Sequence, residues 1–376
     1  MPNLPDVDAA AVLAYRVLHT GLLRTHGLAE LPGWDLGFQD RSGSSRLAVG
    51  IRLADPGELP AAWADPDGPG AHVLGWTLRG GIVCAHRRAD LPRLAAALWP
   101  ADSEVAAVFL QAEGARLVER GVDPLAALTE VRDAMRAVVT RPMTKGAVSA
   151  AITERIDETL SSWCQPCGST HVHEGLFRVA ALPAGLGAAP NTKPVVVARY
   201  RPGVRPGRGA ADLGPLVAAY YRDLGAGTAM QVGQVLGLPG RFITPLMPDT
   251  LVPARVAGNR SMVHPDLLAS GDRPDRLPAR LLPSTDPLLL ARDRDLMVPE
   301  PAARKELWTA VGQPGAILVG GAIAGTWRSH LASGRLTVEL RPWHKLSKSD
   351  TDTLRAEAEL IANIRGATDL QALVTR

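Results

Sequence analysis

A helix, a tight turn of small residues and a second short helix recur along this chain. That pattern limits the possible folds more than any other feature. In "GPLVAAYYRDLGAGTAMQVGQVLGLPG" (214–240) the first helix ends at Gly225, a tight turn follows, Thr228 caps, and "AMQVGQVLGL" forms the second helix. Small turn residues between apolar helix faces are the local signature of a helix-turn-helix. "TRPMTKGAVSAAITERI" (140–156) gives a similar reading, with a cap at Thr144 after a mostly helical 103–139. Asp8 is a candidate cap for another helix, which has Gly27 as its stop and Val12, Tyr15, Leu18, Leu22 and Leu23 on one face.

The other elements are mixed. "HVLGWTLRGGIVCAHRR" (72–88) suggests a helix end at Gly80-Gly81 and then an apolar strand, and Asp90 is a candidate cap for the helix after it. Residues 315–343 alternate apolar and polar positions and turn at Gly320-Gly321 and Ser333-Gly334, which predicts three antiparallel strands. "SKSDTDTLRAEAELIANIRG" then predicts a capped helix with Leu354, Ala358, Ile361 and Ile364 on one face. Linkers are expected at 183–194, 201–213 and 270–287, where glycine, proline and charge concentrate. The fold class expected is α+β.

With 376 residues and 46% apolar content, the chain has material for two or three folded domains. Its net charge is +3, carried almost wholly by arginine, whose planar fork suits phosphate. No secretory signal and no apolar run near the ~18 residues of a membrane span are present. The expected location is cytoplasmic, with no membrane partner; protein partners are not specified by the sequence.

Gln39 and Asp40 stand side by side in a short polar gap, "LGFQDRSGSSRLAV" (36–49), before an apolar helical pattern. An amide can orient a water and a carboxylate can take its proton. Asp40 or Ser42 could equally cap the helix that follows. The basic stretch Arg199, Arg201, Arg205 and Arg208 reads as a solvated linker or as a phosphate contact. Trp308, Trp327 and Trp343 read as core residues.

"CQPCGSTHVHE" (164–174) sets Cys164, Cys167, His171 and His173 close together. A Cys-x2-Cys pair is half of a structural zinc site, and Cys164, Cys167 and His171 are the candidate ligands. A partly buried or redox-active cysteine pair is the other reading.

Five strings, in order, resemble a family: "LGFQDRSGSSRLAVGIR", "GWTLRGGIVCAHRRADLPRLAAALW", "LSSWCQPCGSTHVHEGLFRVAAL", "DPLLLARDRDLMVPEPAARKELW" and "ILVGGAIAGTWRSHLASGRLTVELRPW". They are similar to the winged-helix DNA-binding proteins of actinobacteria that include the azinomycin-resistance (AlkZ-like) DNA glycosylases. The resemblance implies tandem winged-helix units in a curved arrangement with a small β-rich C-terminal part. It places units at 1–100 (with Gln39-Asp40), 101–200 and 201–270, and a β-rich domain with a terminal helix at 288–376. It implies a double-stranded DNA partner and hydrolysis of the N-glycosidic bond of bulky N7-alkylated purines, in DNA repair or self-resistance, with no cofactor required. A zinc here would be structural. The charges of "DPLLLARDRDLM" (286–297) read as a solvated ion-pair rim or, through this resemblance, as part of a DNA channel.

The resemblance makes Gln39 and Asp40 the catalytic candidates. Active family members carry glutamine, one intervening residue, then glutamine or aspartate; here Arg41 occupies that last position. The candidate DNA contacts are Arg41, Arg46, Arg79, Arg199, Arg201, Arg328 and Arg335. The alternative reading is a non-catalytic DNA-binding protein, a regulator or damage-sheltering factor, using the same surface. An interaction scaffold that does not touch DNA is a third.

Overall fold

Asp8 accepts the amide of Ala11 at 2.6 Å and starts the helix Ala9–His19, whose buried positions include Val12 and Tyr15. This helix stops at Thr20, well before Gly27, because Gly21 takes a left-handed backbone (φ 78°) and turns the chain away. The computed structural model describes residues 4–59, 72–190, 192–200, 212–269 and 276–374. The chain divides into two units, each built from segments distant in sequence. The first holds Met1–Ala61, Leu216–Val232 and Ile243–Arg376; the second holds Ala62–Pro215 and Gly233–Phe242.

The first unit contains two sheets. One orders its strands Asp6–Val7, Val252–Val256, Asn259–Val263 and Ala226–Gly227. Val7, Val12, Tyr15, Val256, Val263 and Leu267 form the apolar cluster that packs the first helix there. The other sheet runs Arg280–Leu282, Gly315–Val319, Ala322–Ala332, Arg335–Pro342 and Asp369–Val374. The three strands expected over 315–343 are all present, with left-handed glycines at 320, 321 and 334 making the turns. Helix Lys348–Arg365 begins where Ser347 accepts the amide of Asp350 at 3.0 Å. It buries Leu354, Ala358, Ile361 and Ile364. The short helix Ser44–Gly50 comes so close that a Cβ on Gly50 would sit 2.6 Å from Ile364 Cδ1.

The charged string at 286–297 departs from expectation. Instead of a solvated rim, Asp286 is fully buried and Asp293 is nearly so. Each meets a buried arginine in a two-pronged pair, Asp286 with Arg52 and Asp293 with Arg16. The alternating charges arise because the aspartates face inward while Asp295 stays outside the pairs. Of the three tryptophans, Trp327 is buried as the core reading has it, while Trp308 and Trp343 are only half-buried. Their indole N–H groups donate to Leu289 O (Trp308), Leu282 O (Trp327) and Glu306 (Trp343).

In the second unit, residues 72–88 form a hairpin, His72–Trp76 with Val83–Arg87, not a helix end followed by a strand. The glycines at 80 and 81 are left-handed and close its turn. Asp90 precedes the helix Leu91–Ala97, but its carboxylate holds Arg87 at 2.6 Å and makes no capping bond. Helices Ser103–Leu110, Ala112–Glu119 and Pro124–Val138 fill the region expected to be helical. The sheet continues through Leu186–Ala188, Val196–Arg199 and Met143–Thr144, so the expected linker at 183–194 contains a strand.

Two stretches share one order. Helix Pro124–Val138 leads to strand Met143–Thr144, helices Lys145–Thr153 and Glu174–Ala181 with an extra hairpin (residues 161–172) inserted between them, and a hairpin whose last strand, Val196–Arg199, lies between the other two. Helix Gly214–Leu224 leads to Ala226–Gly227, helices Ala229–Leu236 and Gly240–Ile243, and a hairpin whose last strand, Asn259–Val263, is again in the middle. Among the described residues no helix is long and apolar enough to cross a membrane.

Candidate functional site

In the first unit, buried Phe38 packs edge-on against Trp34, with ring centroids 4.9 Å apart. That anchor leaves Gln39 and Asp40 half-buried at the rim. The backbone then takes left-handed conformations at Ser42 (φ 54°) and Gly43 (φ 86°) before the helix Ser44–Gly50. This turn folds Asp40 back over the helix start. Its Oδ1 accepts the Ser45 amide (3.1 Å) and hydroxyl (2.5 Å), and its Oδ2 accepts the Gly43 amide (3.2 Å). Asp40 thus caps the helix, as one of its two readings had it. A carboxylate offers about four lone-pair sites, so three donors leave one open.

The carbonyl of Gln39 accepts Thr285 Oγ1 at 3.1 Å and Ser44 Oγ at 3.3 Å, and those two hydroxyls lie 2.7 Å from each other. Thr285 is held in turn by its neighbour Asp286, which is clamped by Arg52. The guanidinium of Arg52 also donates to Thr20 O (2.7 Å) and Ala48 O (2.8 Å). The Gln39–Asp40 loop is therefore fixed from beneath by a fully buried ion pair.

Beside the loop lies a cleft of about 220 Å³. Arg41, Ser44, Ser284, Gln313, Arg328 and Arg365 supply its polar wall. Arg41 and Arg328 are exposed, and neither forms an ion pair among the described residues. Arg365 donates to Ser329 Oγ at 2.9 Å. Three cations on one small polar cleft make a site for anionic oxygens. Two of them, Arg41 and Arg328, are DNA-contact candidates from the sequence, brought together from positions far apart. Arg365, Thr285 and Gln313 were not anticipated. Arg365 reads locally as the end of a helix, and the relevance of Thr285 depends on a hydrogen bond across the fold.

The other candidates are held in more structural ways. Arg335 pairs with exposed Asp369 at 2.5 Å. Arg46 is half-buried, and its Nε has no hydrogen-bond partner among the described residues. In the second unit, Arg199 donates to Val139 O (2.7 Å) and Arg136 O (2.5 Å), closing the end of helix Pro124–Val138. Arg79 has a left-handed backbone (φ 48°), and Gly237 packs so close that a Cβ there would lie 2.5 Å from Arg79 Cα. Arg201 lies outside the described residues, as do Arg205 and Arg208.

Also in the second unit, Ser161–Cys164 and Ser169–Val172 form a hairpin. It brings the side-chain ligand atoms of Cys164, Cys167 and His171 within 4.8 Å of one another. Hydrogen bonds from the His171 ring and from the Cys167 amide hold the Cys164 thiol below its ordinary range. His173 faces elsewhere, with Ser162 Oγ at 3.4 Å from Nδ1 and Glu113 at 3.6 Å from Nε2.

A family described as DNA glycosylase AlkZ-like has a sequence model that matches residues 36–364. The fold is similar to a solved structure of the Streptomyces sahachiroi DNA glycosylase AlkZ, with a TM-score of 0.73 at 18% identity. The match covers 98% of this chain and 100% of that one. No curated protein matches the chain by sequence.

Proposed function

This chain belongs to the AlkZ-like DNA glycosylase family, and from that premise we propose that it hydrolyses the N-glycosidic bond of bulky N7-alkylated purines in double-stranded DNA. One observation carries the proposal: the residue that follows the fixed Gln39–Asp40 pair, Arg41, lines a cleft together with Arg328 and Arg365. An N7-alkylpurine is already cationic, so it departs readily. The remaining work is to place a water against the sugar carbon and to stabilise the positive charge that develops there. The Gln39 side-chain amide orients that water. Asp40 takes its proton on the lone pair that Ser45 and Gly43 leave open, and until then its negative charge stabilises the developing cation. Arg41 cannot act as a base. Its role is to hold a backbone phosphate, with Arg328 and Arg365 beside it.

The shared element order of residues 124–199 and 214–263 supports reading both as winged-helix units within the 101–200 and 201–270 segments. Helix, strand, two helices and a hairpin with its last strand in the centre match that motif.

The second reading is DNA binding without catalysis. The hydrogen bonding of Asp40 favours it, since three donors from the helix start account for the residue without chemistry. One experiment separates the two. The protein is incubated with duplex DNA carrying an N7-alkylguanine, and free base is measured. Release that is lost in Gln39→Ala and in Asp40→Asn supports hydrolysis. Binding without release, at every salt concentration tested, supports the second reading and rejects the first.

A further inference from the structure

We propose that Cys164, Cys167 and His171 bind one zinc ion, which staples the hairpin Ser161–Val172 and keeps one coordination position open to solvent. The strand register supports this. Cys164 pairs with Ser169 and Ser162 pairs with His171, so Cys164 and His171 project from the same face as diagonal neighbours. Trp163 and Thr170 project from the opposite face. The turn between the strands then lifts Cys167 over the shared face. Cys164 O accepts the amides of Cys167 (3.2 Å) and Gly168 (2.9 Å), and Gly168 takes a left-handed backbone (φ 60°) that closes the loop. This turn folds Cys167 back toward Cys164, as two cysteines that share one metal ion require.

The histidine is committed to the same arrangement. His171 Nδ1 lies 2.9 Å from the carbonyl of Val172, and a carbonyl can only accept. Nδ1 therefore keeps its proton, and Nε2, which meets the Cys164 sulfur in the metal-free chain, gives up its proton to bind zinc. A ligating histidine that donates its other ring nitrogen to a backbone carbonyl is the usual outer-sphere pattern of zinc sites.

Distance and exposure fit as well. Tetrahedral zinc with two thiolates and one imidazole needs roughly 3.5–3.8 Å between ligand atoms. The present separations, all within 4.8 Å, close to that by side-chain rotation of about 1 Å. Cys167 is exposed and Cys164 and His171 are partly so; among the described residues no fourth His, Cys, Asp or Glu joins the group, and water completes it. Two soft thiolates and an imidazole select zinc over magnesium or calcium, which favour oxygen ligands.

The test uses the full chain, purified under reducing conditions without a metal-binding tag, and titrated with Co2+ as the probe. The expected result is one equivalent bound, with thiolate-to-cobalt charge-transfer absorption and intense tetrahedral ligand-field bands that zinc abolishes by displacement. Cys84→Ser, a buried cysteine elsewhere, leaves the spectrum unchanged. Cys164→Ser, Cys167→Ser and His171→Ala each weaken binding about tenfold or more. Far-UV circular dichroism identical to wild type confirms that each variant is folded. The proposal is overturned if the unmodified chain binds no cobalt. It is also overturned if the spectrum is octahedral, if the Cys164→Ser/Cys167→Ser double variant keeps the tetrahedral spectrum, or if Cys164 and Cys167 are recovered as a metal-free disulfide. The readout is the metal itself, so the result stands whether or not the protein releases bases.

Discussion

Asp286 receives two guanidinium nitrogens of Arg52, at 2.7 and 2.8 Å, and neither side chain has any solvent exposure. Asp286 also accepts the Leu288 amide at 3.0 Å, so the pair stiffens the segment that carries Thr285. Removing one partner leaves a buried charge without compensation. Asp286→Ala is therefore expected to cost about 3–5 kcal/mol, read from denaturant unfolding. Arg52→Ala should cost a similar amount. A loss below 1 kcal/mol in both would show that the pair does not hold the loop.

Arg41 and Arg328 are expected to act on DNA through phosphate alone. Replacing either with alanine should weaken binding equally for all sequences. It should also reduce the slope of log affinity against log salt by about 0.9 per lost phosphate contact. Arg335→Ala, whose guanidinium is already paired with Asp369, should have a smaller effect. Titrations at several salt concentrations measure both. Unchanged slopes for Arg41→Ala and Arg328→Ala together would exclude the cleft as a phosphate site.

Asp40 has two roles that substitutions can pull apart. Asp40→Ala deletes every capping bond and should lower stability by about 0.5–2 kcal/mol. Asp40→Asn keeps an acceptor for Ser45 and should remain close to wild type in stability. It removes the proton acceptor, so base release should fall far more than stability. Thermal melts set beside single-turnover assays make the comparison. Full activity in a stable Asp40→Asn protein would remove Asp40 from the chemistry.

Asp223 should make stability depend on pH in a specific window. Its Oδ1 meets Arg222 Nε at 3.0 Å, while Oδ2 is buried without a hydrogen-bond partner among the described residues. Burial pushes the carboxyl up to about 7, against the pull of Arg222. In the unfolded chain the same group titrates near its ordinary value of about 3.9. Below that value both states are protonated. As pH rises toward 7 the unfolded state gives up its proton first, so the stability contributed by the protonated form is lost across that interval and levels off above it. Asp223→Asn removes the dependence. Wild type should lose stability relative to the variant between about pH 4 and 7, as read from urea midpoints. Parallel profiles would mean that Asp223 stays charged in the folded protein.

Much of the fold could be read locally because the signals are local. Caps at Asp8, Thr144 and Ser347 and the alternation over 315–343 need only neighbouring residues, and the structure has each of them. The hairpin at 72–88 was harder. Its strands carry only short apolar stretches, Val73-Leu74 and Val83-Cys84-Ala85, without alternation, and such stretches do not distinguish strand from helix. Charged residues misled for a different reason. Nothing near Asp286 or Asp293 announces that arginines at 52 and 16 will bury them, since those partners lie more than 200 positions away. The same holds at the candidate site. Gln39, Asp40 and Arg41 were visible in sequence, but Thr285, Arg328 and Arg365 join them only through the tertiary fold.

The first unit also has a consequence for synthesis. Its strand Asp6–Val7 lies beside Val252–Val256, and Ser44–Gly50 packs on the helix Lys348–Arg365. During synthesis, Asp6–Val7 must therefore wait until residue 256 has been made, and Ser44–Gly50 until residue 364 has. The second unit, drawn mostly from the middle, can assemble during that wait. Translation pauses after the middle segment should be harmless, whereas premature release before Lys348–Arg365 would leave the face of Ser44–Gly50 that meets Ile364 uncovered.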